Sequence, residues 1–125
     1  MKKDVERYTL RARAKSFSYA FRGMGLFFRT QPNAVLHACV GGMVIVLGLY
    51  YHISRIDWIA LCIAIGMVLI AEAFNTAIEI DINLTSPDFH PFARDTKDVA
   101  AAAVLISVFV ACAIGLFVFV PYIFA

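Results

Sequence analysis

The chain has 125 residues, 62% of them hydrophobic, with a net charge of only +2, and its mean hydropathy is +0.79. A soluble domain of this length has too little interior to hide that much apolar surface, so the composition excludes one and predicts an integral membrane protein. No Asp, Glu, Lys or Arg occurs between Arg29 and Arg55, between Asp57 and Glu72, or after Asp98. Each gap is long enough, or nearly so, for the about 20 residues a spanning helix requires, which predicts three transmembrane helices.

The first 29 residues carry eight Lys/Arg and two acids. They lack the apolar run and small-residue cleavage site of an export signal. Leu10, Ala14, Phe17, Phe21, Met24 and Phe28 repeat at steps of four and three, flanked by Arg11, Lys15, Arg22 and Arg29. That pattern predicts a helix over residues 1–30 lying in the membrane interface, its cations toward anionic headgroups. Gly23 and Gly25 weaken it near its end, and Gln31-Pro32 breaks it.

The first spanning helix is predicted over 33–51, with His37 one turn in and Gly41-Gly42 available for close helix contact. A lone histidine at such a place reads as an interfacial residue rather than a ligand. Residues 52–57 form a short connector, and the second spanning helix covers 57–83. Leu84 to Pro91 is a loop bounded by two prolines. The third spanning helix covers 94–120; Ala100–Ala103 give it a small-residue face, and Pro121 marks its end. Cys39, Cys62 and Cys112 sit in apolar segments without CxxC or ligand spacing, so they are expected to be small buried hydrophobes. Basic residues cluster in the amino-terminal segment and at Arg94 and Lys97, which puts both on the cytoplasmic side and the carboxy terminus outside. No repeat or second domain is visible, so residues 1–125 read as one domain.

The polar signal is concentrated in Glu72-Ala-Phe-Asn-Thr-Ala-Ile-Glu79. A 3.6-residue period sets Glu72, Asn75, Thr76, Glu79 and Asn83 on one face of the second spanning helix. A carboxylate near mid-membrane costs roughly 2.5–3.5 kcal/mol, so such residues normally face a protein interior or polar cavity. A second cluster, Arg94-Asp-Thr-Lys97-Asp98, opens the third helix, and together the two read as walls of one site. Such a set suits Mg²⁺ and a polyphosphate. Mg²⁺ takes one or two carboxylates plus phosphate oxygens, a lysine or arginine offsets charge on the transferring group, and a further carboxylate accepts a hydroxyl proton. Neither GxxxxGK[ST] nor GxGxxG is present, which excludes a P-loop or Rossmann site by pattern. From the residues alone, a kinase and a small proton-coupled transporter both remain open.

The motifs Glu72-x-x-Asn75-Thr76-Ala77-Ile78-Glu79, Ser86-Pro87-x-x-His90-Pro91 and Lys97-Asp98-x-Ala100-Ala101-x-Ala103-Val104-Leu105 closely resemble the prokaryotic diacylglycerol kinase/undecaprenol kinase family. Lys15-Ser16-Phe17-x-Tyr19-Ala20-x-x-Gly23 and Pro32-Asn33-x-x-x-His37 are similar to its amino-terminal motifs. The resemblance implies an all-α homotrimer of three-helix subunits with an amphipathic surface helix, in a bacterial inner membrane. It implies transfer of the γ-phosphate of Mg-ATP to a lipid hydroxyl, of undecaprenol or diacylglycerol, at sites shared between subunits. Polarity agrees with the trimer, since three spanning helices are too few to surround Glu72, Asn75 and Glu79.

The same resemblance implies that Glu72 is the general base, positioned by Asn75, and that Glu79 ligates Mg²⁺. It puts Asn83, His90, Arg94, Lys97 and Asp98 about the ATP, with Arg13 or Arg11 reaching from the surface helix. Ser16 and Ala101 fall on the lipid-substrate side. Two positions depart from the family pattern: Gln31, where many members carry a second metal-binding glutamate, and Asn83, where they carry an aspartate. Each swap removes a negative charge and keeps an oxygen. Asp81 does not replace the lost acid, because on a helix it points nearly opposite to Glu72. A member that kept the fold but lost turnover is the remaining rival. The Ser86-Pro87/His90-Pro91 loop and the Asn75-Thr76 pair lean toward undecaprenol as acceptor.

Overall fold

A computed structural model describes residues 8–125, and these residues form four helices: α1 (Leu10–Thr30), α2 (Pro32–Tyr51), α3 (Arg55–Thr85) and α4 (Pro91–Ile123). Two compact units are present, Met1–Pro32 and Asn33–Ala125. In the first unit, α1 begins at Thr9, whose side-chain oxygen accepts from the Ala12 N–H, and ends at Gln31, whose N–H donates to the Phe27 carbonyl. Its stripe residues Phe17, Phe21 and Met24 are exposed, as an interfacial helix requires. The predicted start of this helix, residues 1–7, lies outside the described residues.

In the second unit, α2, α3 and α4 are each long and apolar enough to cross a membrane. Their bounds extend the expected ones. Pro32 and Pro91 are first helical residues rather than flanks, positions where the missing N–H costs nothing. The connector after α2 shrinks to His52–Ser54, because Ser54 and Asp57 form a capping box that starts α3 early. The loop after α3 starts at Ser86 instead of Leu84. Pro121 does not end α4, which continues to Ile123; a proline in the last turn removes only one bond of the ladder.

The end of α2 is closed by a Schellman arrangement: the Ile53 N–H donates to the Gly48 carbonyl and the His52 N–H to that of Leu49. His52 supplies the left-handed residue, with φ 51°. Close approach of α2 to α3 rests on Gly41 and Gly48. A methyl on Gly41 would stand 3.1 Å from Ile65, and one on Gly48 would stand 2.7 Å from Trp58. Gly42, expected to share this role, faces open space.

Below this contact, Ile53, Leu61, Val118 and Phe119 form the packed core, covered by Tyr51, Trp58 and Tyr122. The Tyr122 hydroxyl donates to Asp57 Oδ2 at 2.7 Å and accepts from the Ser54 N–H at 3.1 Å. The core thus locks together the start of α3 and the end of α4. Of the small-residue face, only Ala100 is buried; Ala101, Ala102 and Ala103 are exposed. All three cysteines are free thiols on exposed positions rather than core residues.

Candidate active site

Helix length decides where the polar face lies. At about 1.5 Å per residue, the 31 residues of α3 span well over the roughly 30 Å of hydrocarbon in a bilayer. Counting about 20 residues from Arg55 ends near Asn75, so the last turns of α3 project beyond the apolar layer. The 33-residue α4 carries the same excess at its start, where Arg94–Asp98 lie. The two polar clusters therefore emerge at one end of the helix pair, opposite the Tyr122–Asp57 lock.

Burial varies along this face and is deepest at Glu72 and Thr76. Glu72 is 2% exposed and Thr76 5% exposed; Asn75 and Glu79 are half-buried and Asn83 is exposed. The Thr76 hydroxyl turns back to donate to the Glu72 carbonyl at 2.9 Å, so it is spent on the backbone. The Glu72 carboxylate faces an imidazole instead: His37 Nε2 of α2 stands 3.9 Å from its Oε2. Sequence reasoning set His37 aside. The signal that could have found it is the rule that an ionisable residue within an apolar span is functional by default.

The clusters meet where Lys97 Nζ donates to Asn83 Oδ1, bridging α4 to α3. Beside this bond is a cavity of about 280 Å³ whose lining includes Asn83, His90, Arg94, Lys97 and Asp98. Five of the expected nucleotide residues thus share one concavity. His90 has a structural duty there as well: its Nδ1 accepts the Phe92 N–H at 3.2 Å and caps α4. The Arg94 guanidinium donates to Asp95 Oδ1 through Nε at 3.3 Å and Nη2 at 3.1 Å. Both side chains are more than half exposed, so that pair is readily exchanged for an anion.

Glu79 has neither a hydrogen bond nor an ion pair among the described residues, which leaves its carboxylate available to a cation. Among those residues, no three His, Cys, Asp or Glu side chains gather as a metal cage. One free carboxylate fits Mg²⁺ that is completed by phosphate oxygens, and it does not fit a closed protein site. Ala101 is exposed on α4. In the amino-terminal unit, Arg13 and Ser16 are exposed and Gln31 is half-buried; the Ser16 hydroxyl donates to the Ala12 carbonyl at 3.1 Å.

Three long apolar helices with one acidic, lysine-bearing end suit a small membrane phosphotransferase. The sequence pattern of the family described as Prokaryotic diacylglycerol kinase matches residues 18–119. The chain belongs to this family and is a membrane lipid kinase. It is 37% identical over 107 residues to the undecaprenol kinase of Bacillus subtilis (strain 168), a match covering 86% of this chain and 87% of that one. With the diacylglycerol kinase of Synechocystis it shares 36% identity over 101 residues, 80% of this chain and 58% of the relative. With that of Escherichia coli (strain K12) it shares 27% over 103 residues, 78% and 80% of the two chains.

Proposed function

We propose that this lipid kinase transfers the γ-phosphate of Mg-ATP to the terminal hydroxyl of undecaprenol, with diacylglycerol as the second acceptor. The observation that carries the reading is the Asn83–Lys97 bond, which joins the acid-bearing face of α3 to the basic start of α4 at the edge of one polar cavity. The preference for undecaprenol is supported by the relative of that activity, which matches along nearly its full length.

In this reading, ATP occupies the cavity, its phosphates facing Lys97 and Arg94, with Asp98 and His90 bounding the nucleotide. Glu79 holds the metal; the family resemblance offers Gln31 as a further oxygen donor. Mg²⁺ bound there would withdraw charge from the phosphate oxygens. The lipid enters from the bilayer beside Ala101, and its hydroxyl reaches Glu72, whose depth in the apolar zone suits a group that rises from lipid. Glu72 takes the hydroxyl proton as the oxygen bonds to the γ-phosphorus and the bond to the β-phosphate oxygen breaks, releasing ADP. Asn75, one turn from Glu72, orients the carboxylate. The resemblance of the amino-terminal motifs to the family supports a nucleotide role for Arg13 and a lipid role for Ser16.

The working unit in this reading is a homotrimer in the inner membrane, with the amino terminus and ATP cavity on the cytoplasmic side. One chain buries Glu72 by itself, contrary to the expectation that three helices would not suffice. The case for neighbours therefore rests on Asn75 and Glu79, which stay half-buried.

The test is transfer of labelled γ-phosphate from ATP to undecaprenol and to diacylglycerol in mixed micelles. Labelled undecaprenyl phosphate, lost in Glu72→Gln with ATP binding retained, is the expected outcome. Transfer to neither lipid, or parental turnover in Glu72→Gln, overturns the assignment.

A further inference from the structure

A base that is 2% exposed cannot release its proton directly to water. Each turnover leaves one proton on Glu72, and the carboxylate must lose it before it can act again. Among the described residues, one basic group lies within ion-pair distance, His37 of α2, with Nε2 at 3.9 Å from Oε2. Its side chain is 21% exposed, against 3% for that of Glu72. The imidazole therefore stands between the buried acid and the outside, on a different helix from the acid. It also edges an apolar cavity of about 200 Å³ between α2, α3 and α4. Cys112 of α4 is the other titratable group lining that cavity.

We propose that His37 is the exit for the proton that Glu72 removes from the lipid hydroxyl. Resting on Glu72 as the base, the sequence is balanced. The hydroxyl proton passes to Glu72 Oε2 as the phosphate ester forms. Once the two side chains close from 3.9 Å to hydrogen-bond distance, it moves to the lone pair of a neutral His37 Nε2, regenerating the carboxylate, and the imidazolium releases it from its exposed edge. A neutral imidazole serves this purpose because its unprotonated ring nitrogen accepts a proton. His37 acts through Glu72 and touches neither ATP nor the lipid. The single contact also explains the placement of a histidine in an otherwise apolar helix.

The experiment compares His37→Gln, His37→Ala and Glu72→Gln in the full chain, in micelles, measuring kcat and KM for ATP and lipid. Glutamine can donate a hydrogen bond to Glu72 but cannot accept a proton, which separates relay from mere orientation. The expected result is a kcat lower by tenfold or more in both His37 variants, with KM values unchanged. Added imidazole should raise the rate of His37→Ala in proportion to its concentration and leave Glu72→Gln silent. A parental kcat in His37→Gln would overturn the relay. So would His37→Ala that keeps parental KM values but does not respond to imidazole. An active Glu72→Gln would instead remove the base assignment beneath it, an outcome the same measurements distinguish.

Discussion

Removing the Asn83 side chain is the most informative single change at the nucleotide end. In Asn83→Ala the Lys97 ammonium loses the acceptor that holds it across the helix pair. Hydrogen bonds to a charged group contribute roughly 1.5–3 kcal/mol when protected from water. Asn83 is exposed and Lys97 only half-buried, so solvent replaces part of the bond and about 1 kcal/mol is the appropriate scale. If Lys97 aims at the transferring phosphate, that becomes about a fivefold fall in kcat/KM for ATP. The decisive assay is a double-mutant cycle with Lys97→Ala. Asn83→Ala should cost nothing further once the lysine is gone, because its contribution passes through that side chain. Equal losses from Asn83→Ala in the presence and absence of Lys97 would refute the reasoning and assign Asn83 an independent contact.

Glu79→Ala should raise the Mg²⁺ needed for half-maximal activity, and Gln31→Glu should lower it, because Mg²⁺ binds a carboxylate far better than an amide oxygen. Superimposable Mg²⁺ titrations for the parent and both variants would exclude these residues from the metal. Tyr122→Phe removes a hydroxyl that both donates to Asp57 and accepts from Ser54. It should lower stability modestly while leaving kcat unchanged, read by denaturant unfolding alongside turnover; an unaltered midpoint would mean that the lock contributes nothing. Native mass measurement in detergent should give a trimer that carries the activity, and a fully active monomer would contradict shared sites.

Much of the architecture was legible because a membrane leaves the chain few options. An apolar run without charges must satisfy its own backbone, which makes it a helix, and charge-free spacing sets the count. The acidic face of α3 was readable for a related reason: a fixed 3.6-residue period determines which side chains share a line, and on that line the structure buries Glu72 and Thr76, half-buries Asn75 and Glu79 and exposes Asn83. The family followed from motifs that need no coordinates. Tertiary packing decided the rest. Gly48 and Gly41 were selected over Gly42 by which residues of α3 lie opposite, a matter of helix rotation that periodicity leaves undetermined. The Tyr122–Asp57 lock joins residues 65 positions apart, and no local pattern marks such a pair. His37 carries no motif for a proton partner; it acquires one only because α2 brings it against Glu72, and a buried charge takes its chemistry from the neighbours that packing supplies.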